Sequence, residues 1–425
     1  MAEGKKPKTE KTIIEYAYEN RDKTFSELPF NDIDNVILSE ISYISFENVI
    51  ADEKNMKPMT LHELLLSYFH GIRYQEYRKE SSWFKKHLFL ALAIFDSPRY
   101  RNLKLLDFHN VFSEVTEAQF TGMCFLLPDK SLSIVFRGTD NSILGWKEDF
   151  NMIFMDETTG QRLARIFLKR CLKRHPKRPF RVMGHSKGGV FAVYACLALS
   201  DKDIDRLVAV YSNDGPGLHT SKFESAGYER IKNKIVHIVP KDSIIGILLH
   251  HDKITYAVDY QEGTDLITAH DAYTWLIEGS HFVKKPRSPI SYYLDASLLD
   301  LVESLPYDER KQFVEIFFRT IDQVGYQTAV EIFDDFATAM KKVIGTLFKE
   351  MRKDKVIGTV VKATITSFRK NWGIYSTKAK ALKEKQKAKR LAEEEKRKEA
   401  LKAQKKKKEE SRKGIRIPLL GRKEK

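Results

Sequence analysis

The chain has 425 residues, 42% of them apolar, with 26 Phe and 18 Tyr, which is enough for a sizeable core and argues against global disorder. Its net charge of +15 is uneven: Lys378 to Lys425 hold 21 of the 73 basic residues and 8 of the 58 acidic ones, so the rest is nearly neutral and its charge points to no particular substrate. Three cysteines without a CxxC spacing argue against a disulfide framework or zinc site, and no run reaches the roughly 18 apolar residues of a membrane span.

The first segment, "MAEGKKPKTEKTIIEY", has no apolar stretch of the secretory kind, so the expected location is cytoplasmic. Residues 1–11 are expected to be disordered. Residues 12–98 form a helical segment packed on the core: "FNDIDNVILSEISYISF" (30–46) and "LHELLLSYFHGI" (61–72) carry apolar residues at helical spacing, and "SWFKKHLFLALAIF" (82–95) is more apolar still. "SPRY" (97–100) breaks the pattern.

A core over residues 99–289 follows. "QFTGMCFLL" (119–127) and "SLSIVFRGT" (131–139) read as a hairpin around "PDK". "QRLARIFLKRCLKR" (161–174) is an amphipathic helix, "PFRVM" (179–183) a short strand, and "GGVFAVYACLAL" (188–199) a helix. "RLVAVYS" (206–212) and "KIVHIVP" (234–240) are further strands ending in turn residues. This alternation predicts an α/β sheet with parallel strands. Residues 290–375 turn helical again, through 308–324 and 329–351. Residues 376–425 form a basic tail, partly helical or disordered, in which Glu393/Arg397 and Glu394/Lys398 are i,i+4 pairs. The tail reads as a solvated extension; its charge also raises peripheral contact with an anionic membrane or RNA, although no aromatic residue after Tyr375 supports base stacking.

"GHSKG" (184–188) stands between that short strand and a helix. The spacing Gly184-x-Ser186-x-Gly188 is that of a nucleophile elbow, in which a serine is forced into a tight turn and the flanking glycines let neighbouring backbone pass. The helix N-terminus beneath it supplies free N–H groups for an oxyanion. The alternative is a glycine-rich β-to-α turn that binds nothing.

The motifs "IVFRGTD" (134–140) and "GHSKGG" together resemble the class 3, fungal-type lipases. The chain is more similar still to a family of bacterial lipase-like proteins, through "SPRY", "GWKEDF" (145–150), "SNDGPG" (212–217), "VPKDSIIGILL" (239–249) and "HDAYTW" (270–275). The resemblance covers most of the chain up to about Tyr375. It implies an α/β-hydrolase core with helical segments on either side, no cofactor or metal, and an oxyanion hole formed by the backbone N–H groups of Thr139 and Lys187. Arg137, Asp140, Trp146 and Asp149 then brace the Thr139 loop.

A serine needs a base, and the base an orienting acid. In the chain order Ser, Asp/Glu, His, the acid is expected at Asp242, just past a strand and where the resemblance also puts it, with Asp214 in "SNDGPG" as its rival. The base is expected at His270, with His250, His251 and His281 as contenders, and His185 as a packing or hydrogen-bonding residue. Lys187 departs from the apolar residue common after the lipase nucleophile; its ammonium is expected to reach solvent, or to attract an acidic substrate. Only about twenty residues, among them the charged stretch "KEDFNMIFMDETTG", separate Thr139 from the helix at 161–174, which argues against a long amphipathic lid. The expected activity is hydrolysis of an acyl ester, a thioester or a single phospholipid. The alternative is a catalytically silent binding or scaffold protein on the same fold.

Overall fold

The computed structural model describes residues 10–50, 52–71, 82–252, 254–326, 328, 331–332, 338–339, 341–343, 345–346 and 355–413. They belong to two compact units, Met1–Asn371 and Trp372–Lys425.

Among the described residues of the first unit, nine strands form one mixed sheet. In spatial order these begin with β1 (Met59–Thr60), β2 (Lys104–Ser113), β3 (Ala118–Leu126) and β4 (Leu132–Phe136). They continue through β5 (Phe180–His185), β6 (Leu207–Asn213), β7 (Ile235–Pro240) and β8 (Tyr256–Val258). A separate ribbon pairs β9 (Ile277–Glu278) with β10 (His281–Phe282), and β11 (Lys284–Lys285) closes the large sheet beside β8. Strands β4 to β8 are mutually parallel, and the outer strands run antiparallel. The hairpin around "PDK" is present, with Ile134 opposite Cys124. The expected α/β arrangement is therefore observed, and the sheet holds four strands beyond the five expected, namely β1, β2, β8 and β11. β2 escapes a reading by alternation because its register shifts between Leu105 and Asp107, which breaks the period of two.

Successive side chains of the central strands face opposite layers. Val135, Met183, Ala209 and Tyr211 enter one cluster with α1 (Ile13–Glu19), α2 (Asp32–Ile41), α3 (Leu61–Gly71) and α4 (Ser82–Ile94). Ile134, Val182 and Val210 enter the other. That face is covered by α6 (Thr159–Arg174) and α7 (Lys187–Cys196), which follow α5 (Ile143–Asn151). Short helices α8 (Asp201–Arg206), α9 (Thr220–Phe223) and α10 (Ala226–Ile231) fill the later connections, and the long helices α11 (Pro289–Ser304) and α12 (Tyr307–Val324) follow the sheet. Phe318 and Val314 of α12 form a third cluster with Phe154, against which Trp146 and Phe150 of α5 pack. The helix expected over 329–351 falls largely outside the described residues.

Helix α2 is buried along nearly all its length, polar residues included. Each has a partner. The Arg99 guanidinium donates to Asp34 at 2.8 and 2.5 Å, the Tyr100 hydroxyl donates to Asp34 at 2.6 Å, and Asn35 donates to Asn213 at 2.8 Å. "SPRY" is thus an anchor for α2, which in turn is tied to the end of β6.

Helix α13 (Lys355–Lys413) carries the chain into the second unit, whose described residues are helical. The apolar "IRIPLL" at 415–420 lies outside the described residues. Among the described residues, no helix is long and apolar enough to cross a membrane.

Candidate active site

Ser186 joins β5 to α7 with φ 56° and ψ −131°, a left-handed conformation that a non-glycine residue adopts only when its surroundings force it, at a cost of about 1–3 kcal/mol. The surroundings do force it. A Cβ on Gly184 would lie 2.2 Å from the Gly188 carbonyl carbon, and one on Gly188 would lie 2.1 Å from the Phe136 oxygen, so both positions exclude a side chain. The turn is held further by the Ser186 N–H donating to the Asn213 carbonyl and the Gly189 N–H donating to the Ser186 carbonyl, each at 2.9 Å.

The loop after β4 lies against this turn. A Cβ on Gly138 would sit 2.5 Å from the His185 carbonyl oxygen, which leaves Thr139 as the first residue of the loop with a side chain beside the elbow. Arg137 braces the loop from behind, donating to the Ser42 and Ile44 carbonyls at 2.5 and 2.8 Å and pairing with Glu47 at 3.0 Å. The Thr139 hydroxyl donates to Asp149, and Asp140 accepts from the Ser142 N–H at 2.9 Å at the start of α5. Desolvation pushes the Asp149 carboxyl up to about 6, against the pull of Lys187 and of the Thr139 hydroxyl.

His270 ends a single 3₁₀ turn, Thr268–His270, which the Trp275 indole N–H fixes by donating to the Ala269 carbonyl at 3.0 Å. Its Nδ1 donates to Asp214 Oδ2 at 2.7 Å. Asp214 is fully buried, and its other oxygen accepts from the Ser243 hydroxyl at 2.6 Å and the Gly246 N–H at 3.1 Å. The carboxylate facing His270 is therefore Asp214 and not the expected Asp242, whose Oδ2 accepts from the Tyr260 hydroxyl at 2.5 Å instead. The reason is strand order. β6 lies directly beside β5, with His185 in register with Asn213, so the next residue of each strand, Ser186 and Asp214, emerge side by side. β7, which leads to Asp242, is one strand further away.

His185 ties the two halves together. Its Nε2 donates to the His270 carbonyl at 2.9 Å, its ring stacks on that of His270 with centroids 4.6 Å apart, and its Nδ1 is left to accept from the Tyr43 hydroxyl at 3.0 Å. Burial lowers its pKa against the opposing pull of Glu40, which favours the neutral ring this pattern needs.

Other expected features lie elsewhere. His250 contacts Thr220 at 2.7 Å, His251 faces Asp295 at 3.4 Å, and His281 belongs to β10. The Lys187 ammonium was expected to reach solvent but is buried, 3.3 Å from Glu148. Glu148 lies within the motif "GWKEDF" but was given no role from the sequence. The segment after Thr139 contains α5, whose Ile143, Trp146 and Phe150 are covered by the third apolar cluster. Among the described residues, no group of three or more His, Cys, Asp or Glu is arranged to hold a metal ion.

No curated protein matches the chain. A family model described as Mbeg1-like matches residues 94–319, more than half of the sequence, including Thr139, Ser186, Lys187, Asp214 and His270. The chain belongs to the Mbeg1-like family, a lipase-like family.

Proposed function

We propose that the chain is a serine hydrolase with an α/β-hydrolase fold, acting on acyl esters or thioesters. The observation that carries this reading is the pairing of His270 with a fully buried Asp214 at 2.7 Å. Asp214 follows Asn213, which is in register with the His185 that precedes a serine held at φ 56°. Asp214 holds the imidazole with Nδ1–H toward itself, which leaves Nε2 as the basic nitrogen. His270 takes the Ser186 proton as the hydroxyl attacks the acyl carbonyl, then returns it to the leaving group; water repeats the sequence to free the acid. The backbone N–H groups of Thr139 and Lys187 receive the developing oxyanion, each worth about 2.7–4 kcal/mol in the transition state. Asp242 has no part in this scheme.

The placing of α5 between the Thr139 loop and α12 supports a substrate smaller than a fat droplet, such as a short acyl ester, a thioester or a single phospholipid. A panel of p-nitrophenyl acyl esters of graded length tests the reading: turnover by the wild-type chain and none by Ser186→Ala supports it, whereas equal background rates favour a silent scaffold. The charge of Lys378 to Lys425 supports a peripheral contact of the tail with anionic membrane; binding to phosphatidylserine vesicles that is unchanged in a 1–377 truncation would dismiss it.

A further inference from the structure

The side chain of Lys187, the residue after the nucleophile, is fully buried. Lysine is almost never buried unless paired, and here the pairing is specific. The ammonium lies 3.3 Å from both Glu148 Oε2 and the Gly145 carbonyl, with the Phe191 ring 5.8 Å away. Glu148 is as deeply buried as its partner. Its Oε1 accepts from the Gly160 N–H at 2.6 Å and its Oε2 from the Gln119 N–H at 3.0 Å. One carboxylate therefore joins the first turn of α6, the start of β3 and the residue after the elbow.

The neighbouring residue completes the pattern, since Asp149 accepts from the Thr139 hydroxyl. The two residues whose amides face the oxyanion in the proposed mechanism are thus held by consecutive acids of α5. The outer side of that helix is fixed in turn by α12: Phe150 stacks on Phe317 with centroids 5.1 Å apart and meets Phe318 edge-on at 5.3 Å.

We propose that the Glu148–Lys187 ion pair is the clamp that positions the oxyanion hole, an inference that rests on the acyl-hydrolase reading above. The Lys187 backbone N–H touches the reacting oxygen; its side chain is a positioning group that acts through that N–H. The peptide between Ser186 and Lys187 is set by a strained Ser186 backbone, which by itself would relax toward an ordinary conformation. Anchoring the next side chain to α5 fixes the direction of the N–H and its distance from Thr139. A role in folding alone gives a weaker account, because apolar side chains of similar volume commonly replace a buried ion pair without loss of stability.

The test compares Lys187→Met, Lys187→Arg and Glu148→Gln with the wild-type chain on an activated acyl ester, with active sites titrated to completion by a fluorophosphonate so that only folded sites are counted. Inhibition by an alkyl trifluoromethyl ketone, whose tetrahedral adduct carries an oxyanion, is measured alongside. The clamp predicts that Lys187→Met and Glu148→Gln lose about 10- to 100-fold in kcat with KM changed less than about twofold, and that Lys187→Arg recovers most of the rate. The ketone should weaken by the same factor as kcat/KM. If Lys187→Met does not fold, Glu148→Gln carries the test, since its amide oxygen still accepts a backbone N–H. Wild-type kcat per titrated site with only a lowered melting temperature, or a loss confined to KM, would overturn the clamp. A wild-type chain that neither turns over esters nor titrates would overturn the hydrolase reading and the clamp with it.

Discussion

Asp214 and His270 are 56 residues apart in the chain and 2.7 Å apart in space, and the carboxylate that accepts from the imidazole is wholly shielded from water. If this pair orients the base, Asp214→Asn should present the wrong tautomer and cost about 10⁴-fold in kcat, while Asp242→Asn stays within a few-fold of wild type. Steady-state kinetics on one activated ester decide between them. Equal losses in both variants, or a larger loss at Asp242, would reverse the assignment.

The elbow glycines make a stability prediction of their own. In Gly188→Ala the new methyl meets the Phe136 carbonyl at 2.1 Å, an atom of the sheet backbone that cannot swing aside. Unfolding in urea should show a loss of about 1–3 kcal/mol, with the loss of turnover that follows from a displaced Ser186. Gly358→Ala, where a methyl would meet nothing within 4 Å inside α13, should be neutral or stabilising by up to about 1 kcal/mol.

Two poorly hydrated groups pull stability in opposite directions with pH. Burial holds the His237 imidazole down at about 3. Below its ordinary pKa of 6.5 the unfolded chain takes a proton that the folded chain refuses, so this contribution is complete above about pH 6.5 and is lost as the pH falls. Desolvation pushes Asp149 up to about 6 from 3.8, so between these values the folded chain keeps a proton that the unfolded chain has released. Its contribution is present at low pH and is lost as the pH rises from about 4 to about 6. Urea midpoints from pH 4 to 8 should therefore show Asp149→Asn gaining on wild type by up to about 3 kcal/mol as the pH rises, and His237→Gln losing its acid-side slope. Curves parallel to wild type would remove these groups from the account.

Arg99 and Asp34 both have fully buried side chains, and the guanidinium also donates to the Leu28 carbonyl at 2.6 Å. Arg99→Met leaves the carboxylate buried without its counter-charge and should cost about 3–5 kcal/mol in urea unfolding. A cost below about 1 kcal/mol would mean that α2 is held by its apolar face alone.

Much of this was legible in the sequence because it is written in local patterns. The parallel strands announce themselves as short apolar runs, and Gly184-x-Ser186-x-Gly188 names the elbow because backbone contacts near 2 Å leave no room for other residues. His270 follows from chain order and motif. What stayed hidden depends on which strands are neighbours. Asp214 and Asp242 each follow an apolar strand, and only the register of His185 with Asn213 puts Asp214 next to Ser186. Lys187 was expected in solvent and Glu148 was given no role, because a charge in sequence carries no sign of its burial; their pairing needs α5 to be laid across the start of α7. β2 was missed for a smaller reason, the register shift between Leu105 and Asp107.

The most direct measurement is intact-mass and peptide analysis after exposure to a fluorophosphonate, with Ser186→Ala beside the wild-type chain. A nucleophile built from Ser186 and His270 predicts one phosphonyl group on the wild type, mapped to the peptide that contains Ser186, and none on the variant. An unmodified wild type, or the same modification on both chains, would contradict it.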